Sequence, residues 1–139
     1  MKALVIDGST ELGFLMQDEQ HPDALQSLAI IESGTPTFVP AHWCVEVANG
    51  LVMAERRKRA SQADITEALN LVAALPVIED DETARRVGSD TTALARQYGL
   101  TIYDACYLEL AMRRGASLAT SDHALAKAAK AAGVAIFPN

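Results

Sequence analysis

The sequence predicts a three-layer α/β/α domain, in which helices cover both faces of a short, mostly parallel sheet of about five strands. Short apolar runs alternate with segments of helical periodicity along the chain, and the turns between them are short and often contain glycine. Helical connections of this kind are what parallel strands require. With 139 residues, no internal repeat and no Pro/Gly/Ser-rich linker, we expect one domain over 1–139.

The first strand and the first two helices are predicted from apolar spacing. Ala3–Ile6 is a short apolar run that stops at Asp7, as a buried strand does. The next apolar residues repeat at helical spacing, and they are Leu12, Leu15 and Met16. A second helix is predicted from Pro22 to the turn at Gly34. Its expected inward face consists of Leu25, Leu28 and Ala29.

A second strand and two further helices follow. Thr37–Val39 is predicted to be a strand, and Pro40 is expected to begin a long apolar helix that runs to about Arg56. Ser61 and Asp64 form the S-x-x-D signal of a helix start. The inward face of that helix is predicted to be Ile65, Ala68, Leu69 and Val72.

The next part of the chain predicts one strand and two helices. The strand is Pro76–Ile78, and the helix after it is expected to end at Gly99. The predicted inward residues of that helix are Ala84, Val87, Thr91, Leu94, Ala95 and Tyr98. The second helix covers Tyr103–Met112 and is closed by Gly115.

The C-terminal part predicts a strand, a helix and a closing strand. The strands are Ser117–Ala119 and Val134–Phe137. Between them lies an amphipathic helix that ends before Gly133. Its inward face is predicted to be Leu125, Ala128, Ala129 and Ala132.

Composition excludes several classes of protein. Half of the residues are hydrophobic and 22% are charged, which is ordinary for a globular domain and unlike a disordered chain. No apolar run approaches the roughly 20 residues of a membrane helix, so we expect a cytoplasmic protein without membrane contact. Cys44 and Cys106 lie in apolar runs without metal-ligand spacing, which favours reduced packing residues.

The charge distribution matters for any nucleic-acid partner. Twelve basic and 18 acidic residues give a net charge of −6, which argues against binding by bulk positive charge. Basic residues nevertheless cluster at 56–59, 85–86 and 113–114. Arg56 and Arg57 have two interpretations, as contacts to RNA phosphates or as cations that favour a helix C-terminus.

Three acidic residues stand at predicted helix starts. Asp7 and Asp122 directly follow strands, where open parallel sheets bind their ligands. Each could instead cap the helix that it precedes. Asp104 has the same alternative, because Thr101 and Asp104 match a capping box.

Glu46 has no such structural explanation. It lies in a strongly apolar helix, in which Asn49 and Gly50 are the non-hydrophobic residues nearest its face. A carboxylate in that setting needs compensation by an arginine, a metal ion or a substrate cation. Composition favours a hard divalent cation, because no histidine cluster competes for the role.

Four segments of the chain, VIDGST, PAHWCVEVANGL, LTIYDACYLELA and LATSDHAL, resemble in order and separation the conserved blocks of PIN-domain ribonucleases. Within that family they are most similar to the VapC-type toxins of bacterial toxin–antitoxin systems. The resemblance covers essentially the whole chain. It implies that the family's acidic quartet, catalytic and metal-binding, falls on Asp7, Glu46, Asp104 and Asp122. The family's hydroxyl positions correspond to Ser9 and Thr120.

The resemblance implies an endoribonuclease that inhibits translation and uses Mg²⁺ or Mn²⁺. Clustered carboxylates repel one another, and divalent cations relieve that repulsion and activate water for attack at phosphorus. We expect Asp7, Glu46 and Asp104 to hold a first metal and Asp122 to help hold a second. Ser9 and Thr120 would orient carboxylates or water. The implied partners are RNA, a cognate antitoxin and a second copy of the chain.

Two other functions remain open on the sequence: a metal-dependent phosphohydrolase or phospho-accepting domain, and a non-catalytic RNA-binding or scaffold module. The D-x-D-x-T pattern of the hydrolases is absent, and all four acidic positions of the nuclease are filled. The Walker A, G-x-G-x-x-G and G-x-S-x-G motifs are also absent. The sequence therefore gives no support to nucleotide hydrolysis, dinucleotide chemistry or serine hydrolysis.

Residues beside the acidic blocks have two interpretations each. His42 and His123 could donate protons, although partly exposed helix-end residues are the more common case. Trp43, Tyr103 and Tyr107 could stack on bases or could pack in a core or a dimer face.

Overall fold

A computed structural model describes residues 1–16 and 21–139 of the chain. Four three-residue strands form one parallel sheet in the order β3-β2-β1-β4. They are β1 (Leu4–Ile6), β2 (Thr37–Val39), β3 (Val77–Glu79) and β4 (Ser117–Ala119). Leu4 lies opposite Thr37 on one side and Ser117 on the other. The predicted α/β class with a parallel sheet is confirmed.

The expected fifth strand is reduced to a single bridge. Ile136 pairs with Leu118 in parallel, and Phe137 N–H donates to the Leu118 carbonyl. Pro138 follows at once and has no N–H to continue the ladder. The C-terminal segment therefore adds one rung beside β4 rather than a full strand.

Eight α-helical segments are present in the described residues. They are α1 (Gly8–Leu15), α2 (Pro22–Glu32), α3 (Trp43–Arg56), α4 (Gln62–Ala74), α5 (Thr83–Arg86), α6 (Thr92–Tyr98), α7 (Ile102–Arg114) and α8 (His123–Ala131). In one group, α1 packs against α2 and α3, and α3 against α4. In the other, α7 packs on the sheet and against α6 and α8. These groups form the outer layers of the α/β/α arrangement.

Local capping explains several helix boundaries. Ser61 Oγ accepts from Asp64 N–H, and the Asp64 carboxylate accepts from Ser61 N–H, so the predicted capping box is complete. Gly99 and Gly115 close α6 and α7 with φ of +65° and +62°, a conformation that glycine adopts without steric cost. The long helix α3 begins at Trp43, three residues after Pro40, because Pro40–Trp43 form a hydrogen-bonded turn.

The predicted inward face of α2 is wrong. Ala24, Ser27 and Ile31 are buried, whereas Leu25 is 43% exposed and Ala29 is exposed. The reason is close packing against α1: a Cβ at Gly13 would lie 3.0 Å from the Ala24 Cβ. A small side chain fits that contact, and leucine would not.

The helix predicted before Gly99 is interrupted. A π-helical turn over Val87–Thr91 joins α5 to α6, and the Thr92 hydroxyl donates to the Val87 carbonyl. The extra residue in this turn rotates the helix, so that Thr91 is buried while Ala84 faces solvent. The predicted inward residues from Thr91 onward are therefore buried or partly buried, whereas the prediction for Ala84 is wrong.

The sheet reverses its strand order between β1 and β4. The chain proceeds from β1 to β2 and β3 on one side, and β4 then pairs with the other side of β1. In open parallel sheets the crevice at such a switch point, beyond the carboxyl ends of the strands, is where ligands bind. The core beneath it includes Leu4, Ile6 and Leu118, which are fully buried. No helix among the described residues is long and apolar enough to cross a membrane.

Candidate active site

Asp7 lies at the carboxyl end of β1 and is 4% exposed. Its Oδ1 accepts hydrogen bonds from Thr10 N–H at 3.0 Å and Ser9 Oγ at 2.7 Å. Burial raises the pKa of Asp7, and hydrogen bonds from Thr120, Ser9 and Thr10 partly oppose that rise. Asp7 caps α1, which confirms the capping interpretation. It also lies at the switch point of the sheet, between β1 and β4.

A hydrogen-bonded chain connects Asp7 to the end of β4. The Thr120 hydroxyl donates to Asp7 Oδ2 and accepts from Asp122 N–H at 3.0 Å. Asp122 Oδ1 accepts from Leu125 N–H at 2.9 Å and so caps α8. Capping engages one carboxylate oxygen of Asp122, which leaves the other free of that role. The cap and the ligand interpretations are therefore compatible for this residue.

Ser9 joins the same network from α1. Its Oγ donates to Asp7, accepts from Ser121 N–H at 3.0 Å and lies 3.2 Å from Ser121 Oγ. The two predicted hydroxyl residues, Ser9 on α1 and Thr120 after β4, thus each donate to a different carboxylate oxygen of Asp7. Their positions suit the orienting role that the sequence predicted, which stays a prediction.

Glu46 reaches this cluster from the first turn of α3. A Cβ at Gly8 would lie 2.9 Å from Glu46 Oε1, so the carboxylate sits directly over the start of α1. On its other side, His42 Nε2 lies 3.3 Å from Glu46 Oε2. The side chain is 38% exposed, less buried than its apolar surroundings in the sequence indicated.

Asp104 lies in the first turn of α7, where Thr101 caps the helix through its hydroxyl. The pKa of Asp104 is raised to about 6, first by burial and then by the negative charges of Asp122, Asp7 and Glu46. The structure therefore brings the four predicted acids, from four separate segments of the chain, within electrostatic range of one another.

The aromatic residues near the cluster divide between core and surface. Trp43 and Tyr107 are buried, which confirms the packing interpretation for both. Tyr103 is 66% exposed. The His42 ring contacts both tyrosines, with centroid distances of 5.8 Å to Tyr103 and 5.1 Å to Tyr107. His123 is exposed at the start of α8.

The residues fit a divalent cation in charge and in chemistry. Among the described residues no lysine or arginine forms an ion pair with Asp7, Glu46, Asp104 or Asp122. Oxygen ligands are what Mg²⁺ and Mn²⁺ prefer, and a cation would relieve the mutual repulsion that raises the Asp104 pKa. The side-chain oxygens are spread rather than tightly clustered, since no three of the four come within 4.8 Å of one another.

Two buried polar atoms beside Glu46 support this fit. The Tyr107 hydroxyl and His42 Nε2 have no hydrogen-bond partner in the described part of the chain. An unsatisfied buried polar group costs about 1–3 kcal/mol, so such groups in a native protein indicate a missing partner. Water around a bound cation would supply one.

A cleft of about 780 Å³ opens beside the cluster, between α1, α2 and α8. Its walls include Ser9, Thr120, Asp122 and His123, with Phe137 at the C-terminal side. The cleft gives a solvent-filled approach to the β4 end of the site.

A second acidic group lies at the end of β3. The side-chain oxygens of Asp80, Asp81 and Glu82 come within 4.8 Å of one another and could hold a metal ion. Arg113 already pairs with this group: it binds both oxygens of Asp80 at 2.9 and 2.8 Å and also the Glu109 carboxylate at 2.8 and 3.0 Å. The Arg113 hydrogen bonds hold the pKa of Asp80 below its usual range.

Sequence analysis did not single out this second group. The signal was present, because Asp80 directly follows β3 as Asp7 follows β1. Asp80 differs from Asp7 because it pairs with the guanidinium of Arg113, 33 residues away in the sequence. No local sequence pattern predicts that pairing.

Comparison of the sequence with protein families gives a match to the PIN domain over residues 4–131. Comparison with curated proteins gives no match.

Comparison with solved structures gives matches over most of the chain. PAE2754 from Pyrobaculum aerophilum is 22% identical, with a TM-score of 0.69 over 92% of this chain and 85% of that one. VapBC2 from Rickettsia felis, bound to a DNA fragment from its promoter, is 13% identical, with a TM-score of 0.66 over 96% of each chain. A toxin–antitoxin complex from Klebsiella pneumoniae is 17% identical, with a TM-score of 0.54 over 86% and 87%. At these identities the likenesses show a shared fold.

Proposed function

Because the match over residues 4–131 shows that this chain belongs to the PIN domain family, we propose that it is a divalent-metal-dependent endoribonuclease. In this proposal it acts as a VapC-type toxin that inhibits translation by hydrolysing RNA phosphodiester bonds, and it does so as one domain in the cytoplasm. The observation that carries the proposal is the electrostatic coupling of four carboxylates at the switch point of the sheet, without a basic partner among the described residues.

The proposed metal ligands are Asp7, Glu46, Asp104 and Asp122, and the proposed cation is Mg²⁺ or Mn²⁺. When bound there, the cation would supply an activated water and would stabilise negative charge at the phosphoryl group. Asp7, Glu46 and Asp104 are proposed for a first ion and Asp122 for a second. The same four residues are the proposed catalytic residues.

The remaining side chains of the site act on these carboxylates. Ser9 and Thr120 donate to the two oxygens of Asp7 and would keep the carboxylate plane fixed as the charge of the site changes. Burial of Asp7 keeps bulk water away from those hydrogen bonds. Gly8 leaves the space that the Glu46 carboxylate needs.

Arg56 and Arg57 are proposed contacts for the RNA backbone. Both are exposed at the C-terminal end of α3, and neither pairs with a carboxylate in the described ranges. They lie ten and eleven residues after Glu46, which places them about 15 Å from it along the helix axis. RNA that reached both regions would extend over more than one nucleotide of backbone. The competing role, favouring a helix C-terminus, requires only the last turn of α3.

The proposed protein partners are a cognate antitoxin and a second copy of the chain. Support comes from the Klebsiella pneumoniae relative, which is a toxin–antitoxin complex, and from apolar side chains exposed on helices. Leu69 and Leu71 of α4 are 42% and 53% exposed, and Val45 of α3 is 68% exposed. Light scattering at micromolar concentration tests the dimer, and a clean monomer would count against it.

The function is tested by incubating total cellular RNA with purified protein in Mg²⁺ or Mn²⁺ and then in EDTA. We expect discrete cleavage products that disappear with EDTA and with Asp7→Asn prepared in parallel. Asp81→Asn, in the second acidic group, should keep the activity. Equal cleavage by Asp7→Asn would overturn the proposal. Metal binding without RNA cleavage would move the assignment to a phosphohydrolase or a non-catalytic RNA-binding module.

A further inference from the structure

Tyr107 is a fully buried residue of α7 whose hydroxyl has no hydrogen-bond partner in the part of the chain that the structure describes. It lies one helical turn after Asp104. The aromatic ring packs in the core with Leu108 and Leu110, and a phenylalanine would fill the same space. Packing therefore explains the ring and leaves the hydroxyl without an explanation.

The surroundings of the hydroxyl point to Glu46. Burial raises the pKa of Tyr107, and the negative charge of Glu46 raises it further. The charges of Asp7 and Asp104 act in the same direction. The buried Tyr107 hydroxyl therefore lies within electrostatic range of the acidic cluster.

His42 occupies the adjoining position. Its ring meets the Tyr107 ring edge-on, with centroids 5.1 Å apart and planes at 66°. Its Nε2 is buried and lies 3.3 Å from Glu46 Oε2, although the geometry of a hydrogen bond is not reached. Gly8 approaches the other oxygen, since a Cβ there would lie 2.9 Å from Glu46 Oε1. His42 thus lies between the two residues: its Nε2 is close to Glu46, and its ring contacts the buried ring of Tyr107.

We propose that Tyr107 is a positioning residue for Glu46: its hydroxyl donates to the Glu46 carboxylate, directly or through one water, and fixes the orientation in which Glu46 binds the cation. His42 supports the same carboxylate from the α3 side through Nε2. The proposal rests on the proposed metal site and adds to it the group that orients Glu46 as a ligand. Long carboxylates on a helix otherwise sample several rotamers, and an oriented ligand loses less freedom on binding.

The test is Tyr107→Phe, which removes the hydroxyl and keeps the ring. We expect Mn²⁺ affinity, measured by titration calorimetry or electron paramagnetic resonance, to fall about tenfold or more, as for other groups that orient metal ligands. For RNA cleavage we expect kcat to fall while KM is unchanged. Thermal stability in EDTA should stay equal or rise, because the variant removes an unpaired buried polar atom.

Tyr103→Phe is the matched control, because it makes the same chemical change one turn earlier on an exposed side chain of α7. It should leave Mn²⁺ affinity unchanged. In a Glu46→Gln background, Tyr107→Phe should have no further effect on Mn²⁺ affinity, since the hydroxyl acts through Glu46. Full Mn²⁺ affinity in Tyr107→Phe, or an equal loss in the Glu46→Gln background, would overturn the proposal.

A metal-free measurement separates this proposal from the proposed function. The ¹³C signal of the Tyr107 ζ carbon, recorded in EDTA, should shift when Glu46 is changed to glutamine. If wild type binds no Mn²⁺ and cuts no RNA, the proposed function fails, and this signal still decides whether the two residues interact. If wild type does both and the signal is insensitive to Glu46→Gln, the positioning role alone fails.

Discussion

At the scale of single residues, the acidic cluster is a set of carboxylates held against their mutual repulsion. Asp7 is fixed by three donors, whereas Asp104 faces the charges of three other acids. The cluster is therefore organised for a positive charge in the metal-free protein, and this organisation has a cost in stability. One substitution, Asp104→Asn, measures that cost. A second, Gly8→Ala, tests the space that the Glu46 carboxylate occupies.

Asp104→Asn should stabilise the metal-free protein at neutral pH. The folded pKa of Asp104 is about 6 and the unfolded value is 3.8, so wild type loses stability as pH rises from about 4 to about 6. Asparagine has no proton to lose. We expect the variant to gain roughly 1 kcal/mol at pH 7.5, after allowance for the partial exposure of the group, and nothing near pH 4. Urea unfolding in EDTA at both values checks it, and a gain at both pH values would contradict the electrostatic explanation.

Gly8→Ala should weaken metal binding without weakening the fold. The added Cβ would meet Glu46 Oε1 at 2.9 Å, and the flexible carboxylate can move aside at little cost. Alanine favours a helix, so the free energy of unfolding should stay equal or rise by up to about 1 kcal/mol. Mn²⁺ affinity should fall about tenfold.

Gly88→Ala is the control for this prediction, because a Cβ at position 88 meets nothing within 4 Å. Calorimetric titration with Mn²⁺ compares the two variants. Equal affinities would show that the position of Glu46 is unimportant for the cation.

At the scale of elements, two arrangements determine what surrounds the sheet edge. The close contact of α1 with α2 at Gly13 and Ala24 leaves Leu25 outside the core. The segment after β3 is tied to α7 by Arg113, which links Asp80 to Glu109. Thr83 extends this connection by donating to Asp80 and accepting from Ala41 N–H, in the turn that precedes α3.

Arg113→Met should destabilise the protein by about 3 kcal/mol, because it leaves the buried Asp80 and Glu109 carboxylates without their cation. Arg85→Met is the matched control: the Arg85 side chain is 73% exposed and its pairing with Glu82 contributes little. Chemical denaturation at pH 7 measures both. If the free energy of unfolding of Arg113→Met fell by less than about 0.5 kcal/mol, the ion pairs between the end of β3 and α7 would not stabilise the protein.

At the scale of the whole molecule, charge is distributed unevenly around an acidic average. The net charge is −6, one acidic group at the sheet edge is paired with arginine, and the other is not. Both groups follow strands of the same sheet. The two groups therefore differ in their compensation by basic side chains and not in acidity itself.

Mn²⁺ should stabilise the folded chain through the uncompensated group. At about one hundred times its Kd a ligand adds about 2.7 kcal/mol, which raises Tm by about 8 °C for a chain of this size. Asp7→Asn should lose this shift and Asp81→Asn should keep it, as measured by thermal unfolding in EDTA and in Mn²⁺. The opposite pattern would place the cation at Asp80, Asp81 and Glu82.

The amino-acid sequence was sufficient to predict the order of helices and strands, the parallel sheet, and local features such as the Ser61–Asp64 capping box. It also singled out the four acids, although their joint role as metal ligands stays a prediction. These features depend on residues a few positions apart, where periodicity and capping act. The tertiary structure alone decided the inward face of α2, the reduction of the last strand to one bridge, the raised pKa of Asp104 and the pairing of Arg113 with Asp80. Each of these depends on close packing or on charge between segments far apart in the chain, and such distances are set only when the chain has folded.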